Sequence, residues 1–446
     1  MKWKDKKRTP NIHNLKMNVL IGLLITISWN GFALTQQKDT LKLSRQQYEA
    51  VFLKQNLVLM AEKFKIDQAE AFVLQAKLWP NPNLTLEDVN LWATKKQLSY
   101  LDEPLPSVFG SAAKNTQFSV RLEQQIMTAG KRKKQIALEK VGVKVAEQEF
   151  EELLRQLKYD FRNTLTELQY LQLYSKVFLK QRDLVQNLLT AYKKQFESNY
   201  ISKGDFMRLQ TLQLELSKQI IELDKEQNEK EKDLKILLSI TDHASLFVLE
   251  DDFTPNLQKL ESIEFLNLED EIFAHRPDVK LVELENEQLK SLLIYEKAQA
   301  IPDVSFSTSY DRGGGVWPSF FGFGISIDLP FFNRNQGAIK HAHFGIENTT
   351  MRFDDIRLRV KAEFNQHYKD FLSALAFYQT IDVDFEKDLD TIFESYTKNF
   401  ISRNISLLQY LDFQEAYLEN KKIILESKKE IHLHLETLQY TIGKEI

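Results

Sequence analysis

The chain contains no cysteine, which excludes disulfides, thiolate metal ligands and a lipid-modified N-terminal cysteine. Glycine and proline are scarce, with 14 and 10 in 446 residues. There is no basic excess either: the formal net charge is −4, whereas nucleic-acid-binding domains usually carry a basic stripe. No nucleic-acid partner is therefore expected. After residue 27 no stretch is apolar enough to cross a bilayer as a helix, so any membrane insertion has to use strands. The sequence also lacks a zinc-protease helix motif, a phosphate loop and a nucleophile elbow. It reads as no enzyme, with no cofactor. His341 and His343, and His432 and His434, are each two apart on helical patterns and so do not face each other. They are read as solvated histidines, and no metal site is expected.

Charged residues make up 27% of the chain, and Leu, Lys, Glu and Gln dominate, the signature of long amphipathic or coiled-coil helices. The prolines leave long tracts untouched. From Lys131 to Asn199 apolar residues step by three and four through Leu154, Leu157, Phe161, Leu165 and Leu168, which predicts one helix on the order of 100 Å long. Ala338 to Asn399 behaves likewise through Phe353, Ile356, Val360, Phe364 and Phe371. Helices of that length must pack on each other or on copies of themselves. At the start, Lys2, Lys4, Lys6, Lys7 and Arg8 precede an apolar run from Val19 to Ile27, which reads as an export signal over residues 1–35. A non-cleaved anchor is the alternative.

One unit is written twice. Tyr192, Phe196, Ile201 and Ser202 recur with the same spacing as Tyr396, Phe400, Ile405 and Ser406, and the match continues through Gln210 and Leu214 to Gln414 and Leu418. In each copy a helical pattern breaks near Asn199 or Asn404 and resumes at a serine followed three residues later by Asp205 or Gln409, a capping-box spacing. Both read as tips of helical hairpins, with return helices Ser202 to Leu238 and Ser406 to Tyr440. Shorter helices, Ser44 to Leu78 and Pro277 to about Lys297, precede the long ones. The chain divides into residues 36–240 and 263–446 as two structural repeats, each a short helix, two strands and a long hairpin. A loop-like connector, 241–262, joins them.

Between short and long helix the period changes to two. Phe321, Phe323, Ile325 and Ile327 alternate with Gly322, Gly324 and Ser326. Phe118, Val120 and Leu122 alternate with Ser119 and Arg121, and Val304 and Phe306 with Ser305 and Ser307. Leu84 to Leu91 is less regular, as a bulged strand would be. Such alternation fits a membrane barrel or a soluble sandwich. Large apolar faces opposite small polar ones, downstream of an export signal, favour the barrel. The nine apolar residues named here are then lipid-facing. Four strands cannot close by themselves, and open edges in hydrocarbon cost several kcal/mol per unpaired group, so oligomerisation is demanded if they lie in a membrane, and three copies would give a closed barrel.

These features sit among Trp79-Pro80-Asn81-Pro82-Asn83-Leu84, Gln124-Gln125-Ile126, Gly130-Lys131-Arg132, Arg276-Pro277-Asp278-Val279, Pro302-Asp303-Val304 and Leu329-Pro330-Phe331-Phe332-Asn333-Arg334-Asn335-Gln336-Gly337. Together they resemble the TolC family of outer-membrane efflux channels over essentially the whole chain after the signal. The Pro-Asn-Pro turn and the last string look most like the CzcC-like branch that serves cobalt-zinc-cadmium pumps. The resemblance implies a mainly helical protein with a transmembrane β part: long antiparallel hairpins forming an α-barrel, and four strands per protomer completing a 12-stranded β-barrel in a homotrimer. It implies an outer-membrane location extending into the periplasm. The tips, Asn199, Tyr200, Ile201, Ser202, Asn404, Ile405 and Ser406, would dock a periplasmic adaptor coupled to an inner-membrane RND pump. The family's acidic gate rings fall on Asp412 and on Gln409, which here is uncharged. The implied function is a passive exit duct for heavy-metal cations, with multidrug export or type I secretion as alternatives on the same fold. A soluble periplasmic coiled-coil adaptor or scaffold is the alternative from another class.

Overall fold

The computed structural model describes residues 40–90, 96, 99, 117–241, 243–249, 253–261, 271–312, 319–382 and 384–446. The expected export signal lies outside them. In chain order the elements are β1 (Thr40–Leu43), α1 (Arg45–Gln55), α2 (Leu57–Ala76), β2 (Asn83–Asn90), β3 (Gln117–Ile126), α3 (Lys131–Glu197), α4 (Lys203–Leu238), β4 (Ser245–Val248), α5 (Leu257–Glu261), α6 (Ile272–His275), α7 (Pro277–Gln299), β5 (Val304–Arg312), β6 (Phe320–Ile327), α8 (Gln336–Gln379), α9 (Phe385–Ile401) and α10 (Leu407–Ile442).

Two helical hairpins dominate. α3 runs unbroken for 67 residues, about 100 Å at 1.5 Å per residue, then reverses into α4. Asn199 takes the left-handed conformation (φ 58), which asparagine tolerates better than most residues. The Tyr200 amide reaches back to the Gln195 carbonyl at 2.9 Å, satisfying a carbonyl that the ending helix leaves free. Ser202 then caps α4 by accepting from the Asp205 amide. The second tip is the same structure: Arg403 is left-handed (φ 60), Asn404 N–H bonds the Asn399 carbonyl at 2.8 Å, and Ser406 and Gln409 form a full capping box. The left-handed residue is thus Arg403, one before Asn404.

Three expectations are corrected. The helix expected from Ser44 to Leu78 is two helices. Asn56, buried at 2% exposure, accepts from the Leu59 amide and donates to the Leu237 carbonyl at 2.7 Å, so it caps α2 rather than continuing α1. The tract from Ala338 to Asn399 breaks between α8 and α9 without a proline. There Thr380 Oγ1 donates to the Phe377 carbonyl at 2.6 Å and Asp382 accepts from the Asp384 amide, side-chain bonds that compete with the helical ladder. The connector is not all loop: β4 within it pairs in parallel with β1, and α5 follows.

The apolar stripes form the cores. On α3, Phe161, Leu165 and Leu168 pack with Tyr48, Phe52, Leu234 and Leu238, and Phe161 stacks on Phe52 at 4.8 Å. On α8, Val360, Phe364 and Phe371 pack with Ile431 and Leu438 of α10. Each such buried side chain contributes about 1.5–3 kcal/mol.

The strands form one antiparallel sheet in the order β2-β3-β5-β6. Residues directly opposite share a face. Leu84 and Leu86 stand opposite Leu122 and Val120, and Val120 and Ile126 opposite Tyr310 and Val304. Val304, Phe306, Thr308 and Tyr310 stand opposite Ile327, Ile325, Phe323 and Phe321. Asp88 (φ 52) marks the bulge in β2.

Candidate functional site

The two tips meet through aromatic rings. Tyr192 of the first hairpin stacks on Phe400 of the second at 5.6 Å, and Phe400 stacks in turn on Tyr410 at 4.5 Å. Arg403 Nη2 donates to Gln195 Oε1 at 2.8 Å, joining the hairpins at their ends. Of the named tip residues, Asn199, Tyr200, Ser202, Asn404 and Ser406 are exposed, while Ile201 and Ile405 are half-buried.

The proposed gate positions differ in their commitments. Gln409 Oε1 accepts from Ser406 N and from Ser406 Oγ, both at 2.9 Å, so its carbonyl serves the cap. Asp412 is exposed, on the side of α10 away from buried Tyr410, Gln414 and Tyr417. Glu415 and Glu419 are exposed too, and their spacing from Asp412 gives an acidic row one side chain wide. Sequence reasoning overlooked these two although the i, i+3, i+7 pattern was legible. In the first repeat the position matching Asp412 carries Arg208, also exposed. A turn further up, Lys421 is buried between α9 and α10, its Nζ 2.9 Å from Asp390 Oδ2 and 3.2 Å from Glu386 Oε1. Burial pushes the Glu386 carboxyl up, but the Lys428 and Lys421 ammonium groups outweigh it and hold it below its ordinary value.

On the sheet, Phe118, Val120, Leu122, Val304, Phe306, Phe321, Phe323, Ile325 and Ile327 lie on one face. Phe323 is 90% exposed and Phe321 69%. Gln124, Thr308 and Arg312 interrupt this face. The other face is mostly polar, with Arg121 and Glu87 paired on β3 and β2 and small residues, Ser305, Ser307, Ser309, Gly322, Gly324 and Ser326, on β5 and β6. A Cβ at Gly322 would stand 2.9 Å from Ser309 Oγ and one at Gly324 2.7 Å from Ser307 Oγ, so each glycine makes room for the serine opposite.

The sequence strings near the sheet acquire roles at the joint between strands and helices. Ala129 and Gly130 are both left-handed, which turns the chain from β3 into α3. Asp303 Oδ1 accepts from the Thr128 amide at 2.8 Å and pairs with Lys131 Nζ at 2.7 Å. Lys131 is only 3% exposed. Lys131, the first of four consecutive basic residues, is thus an internal tie between the repeats. Arg132 lies over the Trp79 ring at 4.2 Å. In the Arg-Pro-Asp string, Pro277 takes the first position of α7, where its missing N–H costs nothing, and buried Arg276 binds Asp278, Glu363 and the Thr441 carbonyl.

His341 and His343 are exposed. His432 is not a solvated histidine: it is half-buried, with Nε2 3.1 Å from the Phe253 carbonyl. Among the described residues no three His, Asp or Glu side chains converge as metal ligands, and no helix is long and apolar enough to cross a membrane.

No protein-family model matches the sequence, and no curated protein matches it. Solved structures do. CmeC, an outer-membrane channel of Campylobacter jejuni, is 14% identical, with 97% of this chain and 94% of that one covered at a TM-score of 0.68. CusC, described through its folding and transmembrane channel formation, is 14% identical over 93% and 96% at 0.67. VceC, an outer-membrane protein of Vibrio cholerae, is 13% identical over 90% and 97% at 0.64. From end to end of its described residues, the chain has the fold of the TolC-like outer-membrane channels.

Proposed function

We propose that the chain is the outer-membrane exit duct of a tripartite efflux system in a Gram-negative bacterium, without enzymatic activity. The observation that carries this reading is the four-stranded sheet with one large apolar face and one polar face, joined to two hairpins whose tips meet. Three copies would close the sheets into twelve strands, removing edges that hydrocarbon does not tolerate, with the apolar face to lipid. The hairpins would continue as a periplasmic tunnel, and the tips would receive an adaptor coupled to an RND pump. The energy is the pump's; the duct conducts passively. Heavy-metal cations are the first substrate class, supported by the exposed row Asp412, Glu415 and Glu419, which attracts cations where it lines a pore. The similarity to CusC and CmeC supports the duct but not the choice of substrate.

Membrane fractionation and the mass of the detergent-extracted particle test the reading. Outer-membrane recovery as a trimer of roughly 50 kDa subunits is expected. A soluble periplasmic monomer or dimer would replace it with the adaptor reading. Sensitivity of a deletion strain to metals, drugs or loss of a secreted protein then selects the substrate class.

A further inference from the structure

Between α3, the start of α7 and the end of α10 lies a cavity of about 340 Å³, at the lower end of the range for small-molecule sites. Its wall has two kinds of surface. Leu154, Tyr159 and Tyr440 supply an apolar and aromatic part, with the two tyrosine rings 4.8 Å apart. Lys158, Arg162 and Lys280 supply cations. The cationic part already holds an anion, and that anion belongs to the chain itself. Glu445 Oε1 lies 2.6 Å from Arg162 Nη2 and 3.5 Å from Lys158 Nζ, and these two cations hold its carboxyl below its ordinary value.

The path that brings Glu445 there is set by one residue. Gly443 is left-handed (φ 82), and a Cβ on it would stand 2.9 Å from the His275 carbonyl, so only glycine turns the chain this closely past α6. The carboxylate so delivered is the removable member of the cluster. Its side chain is 66% exposed, against 16% for Arg162 and 30% for Lys158. When it leaves, Arg162 keeps Glu49 at 2.8 Å and Glu436 at 3.3 Å, so that cation is not stranded. Lys158 keeps only Glu49, at 3.5 Å. Lys280, half-buried on α7, lines the cavity and forms no ion pair among the described residues.

We infer that this cavity is a binding site for a small aromatic carboxylate, and that Glu445 is a built-in competitor which occupies the anion position until the ligand displaces it. The ligand's carboxylate takes the place beside Arg162 and Lys158, and its ring lies among Leu154, Tyr159 and Tyr440. The two-part wall fixes this ligand class. An ion without an apolar body gains nothing over Glu445, which makes the same ion pairs and is tethered to the site. Burial of a ring is the surplus that lets a free ligand win. The inference does not rest on the duct reading, since it uses no residue of the tips or of the sheet.

Benzoate is the probe, and benzamide, of the same shape without the charge, is its control, each titrated calorimetrically into the full chain in detergent. Glu445→Gln removes the competitor and is expected to bind benzoate up to about fivefold more tightly than the wild type, the most that one exposed ion pair is worth. Glu445→Gln/Lys158→Gln is expected to lose that gain. Gly443→Ala separates occupancy from bare charge: it keeps the carboxylate but bars the turn that delivers it, and is expected to show the same gain as Glu445→Gln. A gain in affinity is not what a damaged fold produces. Benzoate bound no more tightly than benzamide by Glu445→Gln overturns the inference. So does a Gly443→Ala protein that binds benzoate only as the wild type does.

Discussion

Arg276 grips Asp278 across Pro277 with two parallel bonds, Nε to Oδ1 at 3.0 Å and Nη2 to Oδ2 at 2.6 Å. The same guanidinium reaches Glu363 on α8 and the Thr441 carbonyl on α10, so one side chain ties the start of α7 to both helices of the second hairpin. Burial disfavours its charge, but Asp278 and Glu363 more than compensate and raise its pKa. Arg276→Ala removes the buried guanidinium from between half-buried Asp278 and Glu363, leaving Asp278 only Arg155 at 3.5 Å, and is expected to cost about 3 kcal/mol. Arg276→Lys keeps the charge but loses the fork, and should fall between the two. Thermal unfolding of the three proteins in one detergent checks the order.

Acid sensitivity should depend on His367. Its Nδ1 is 2.7 Å from Thr441 Oγ1, and burial lowers its pKa against the opposing pull of Glu363 and Asp370. The unfolded chain therefore takes up this proton first, near the ordinary value of about 6.5. The stability of the neutral, folded form is present above that pH and is lost as pH falls from there toward the depressed folded value. His367→Gln is expected to flatten the fall in stability that sets in below about pH 6.5, measured as the denaturation midpoint at successively lower pH.

Conductance should respond in opposite senses at two equivalent positions. Asp412 and Arg208 occupy the same place in the two repeats and are both exposed. With both facing the pore, Asp412→Ala is expected to reduce cation preference and Arg208→Ala to increase it, in single-channel recordings of bilayer-inserted protein. Unchanged reversal potentials in both would remove the gate assignment.

Membrane insertion should distinguish the two sheet faces. Phe323→Lys places a charge on the exposed apolar face, where a cation near the bilayer midplane costs about 2–4 kcal/mol. Ser326→Lys, on the polar face, is expected to insert nearly as the wild type. Heat resistance of the extracted oligomer on a gel reads the difference.

The sequence carried the helices, the strands and the tips because each is a periodic or local signal. Ser202 and Ser406 cap where their spacing to Asp205 and Gln409 says they should, and the alternation of β6 was legible from Phe321 to Ile327. The breaks at Asn56 and Thr380 were not, since a proline search sees only one kind of interruption. Asn56 interrupts by donating to Leu237, 181 residues away, a partner no local window contains. The pairing of β1 with β4 is likewise a tertiary fact: Thr40–Leu43 and Ser245–Val248 are too short to announce themselves. Asp412 enters as a gate candidate through resemblance alone, whereas the row it forms with Glu415 and Glu419 needed only the helical period. The burial of Lys131 could not be read from a run of four basic residues, because Asp303, which neutralises it, belongs to the other repeat.

The contact between Tyr192 and Phe400 has a bearing on how such chains change length. It holds the ends of two hairpins at one height, although one hairpin descends as the single helix α3 and the other as α8 and α9. An insertion of two helical turns in α3 and α4 alone would carry Tyr192 about 11 Å past its partner. Lengthening is therefore tolerated only as a matched pair of events, one in each half, and a chain built by duplication remains bound to its copy in every later change of size.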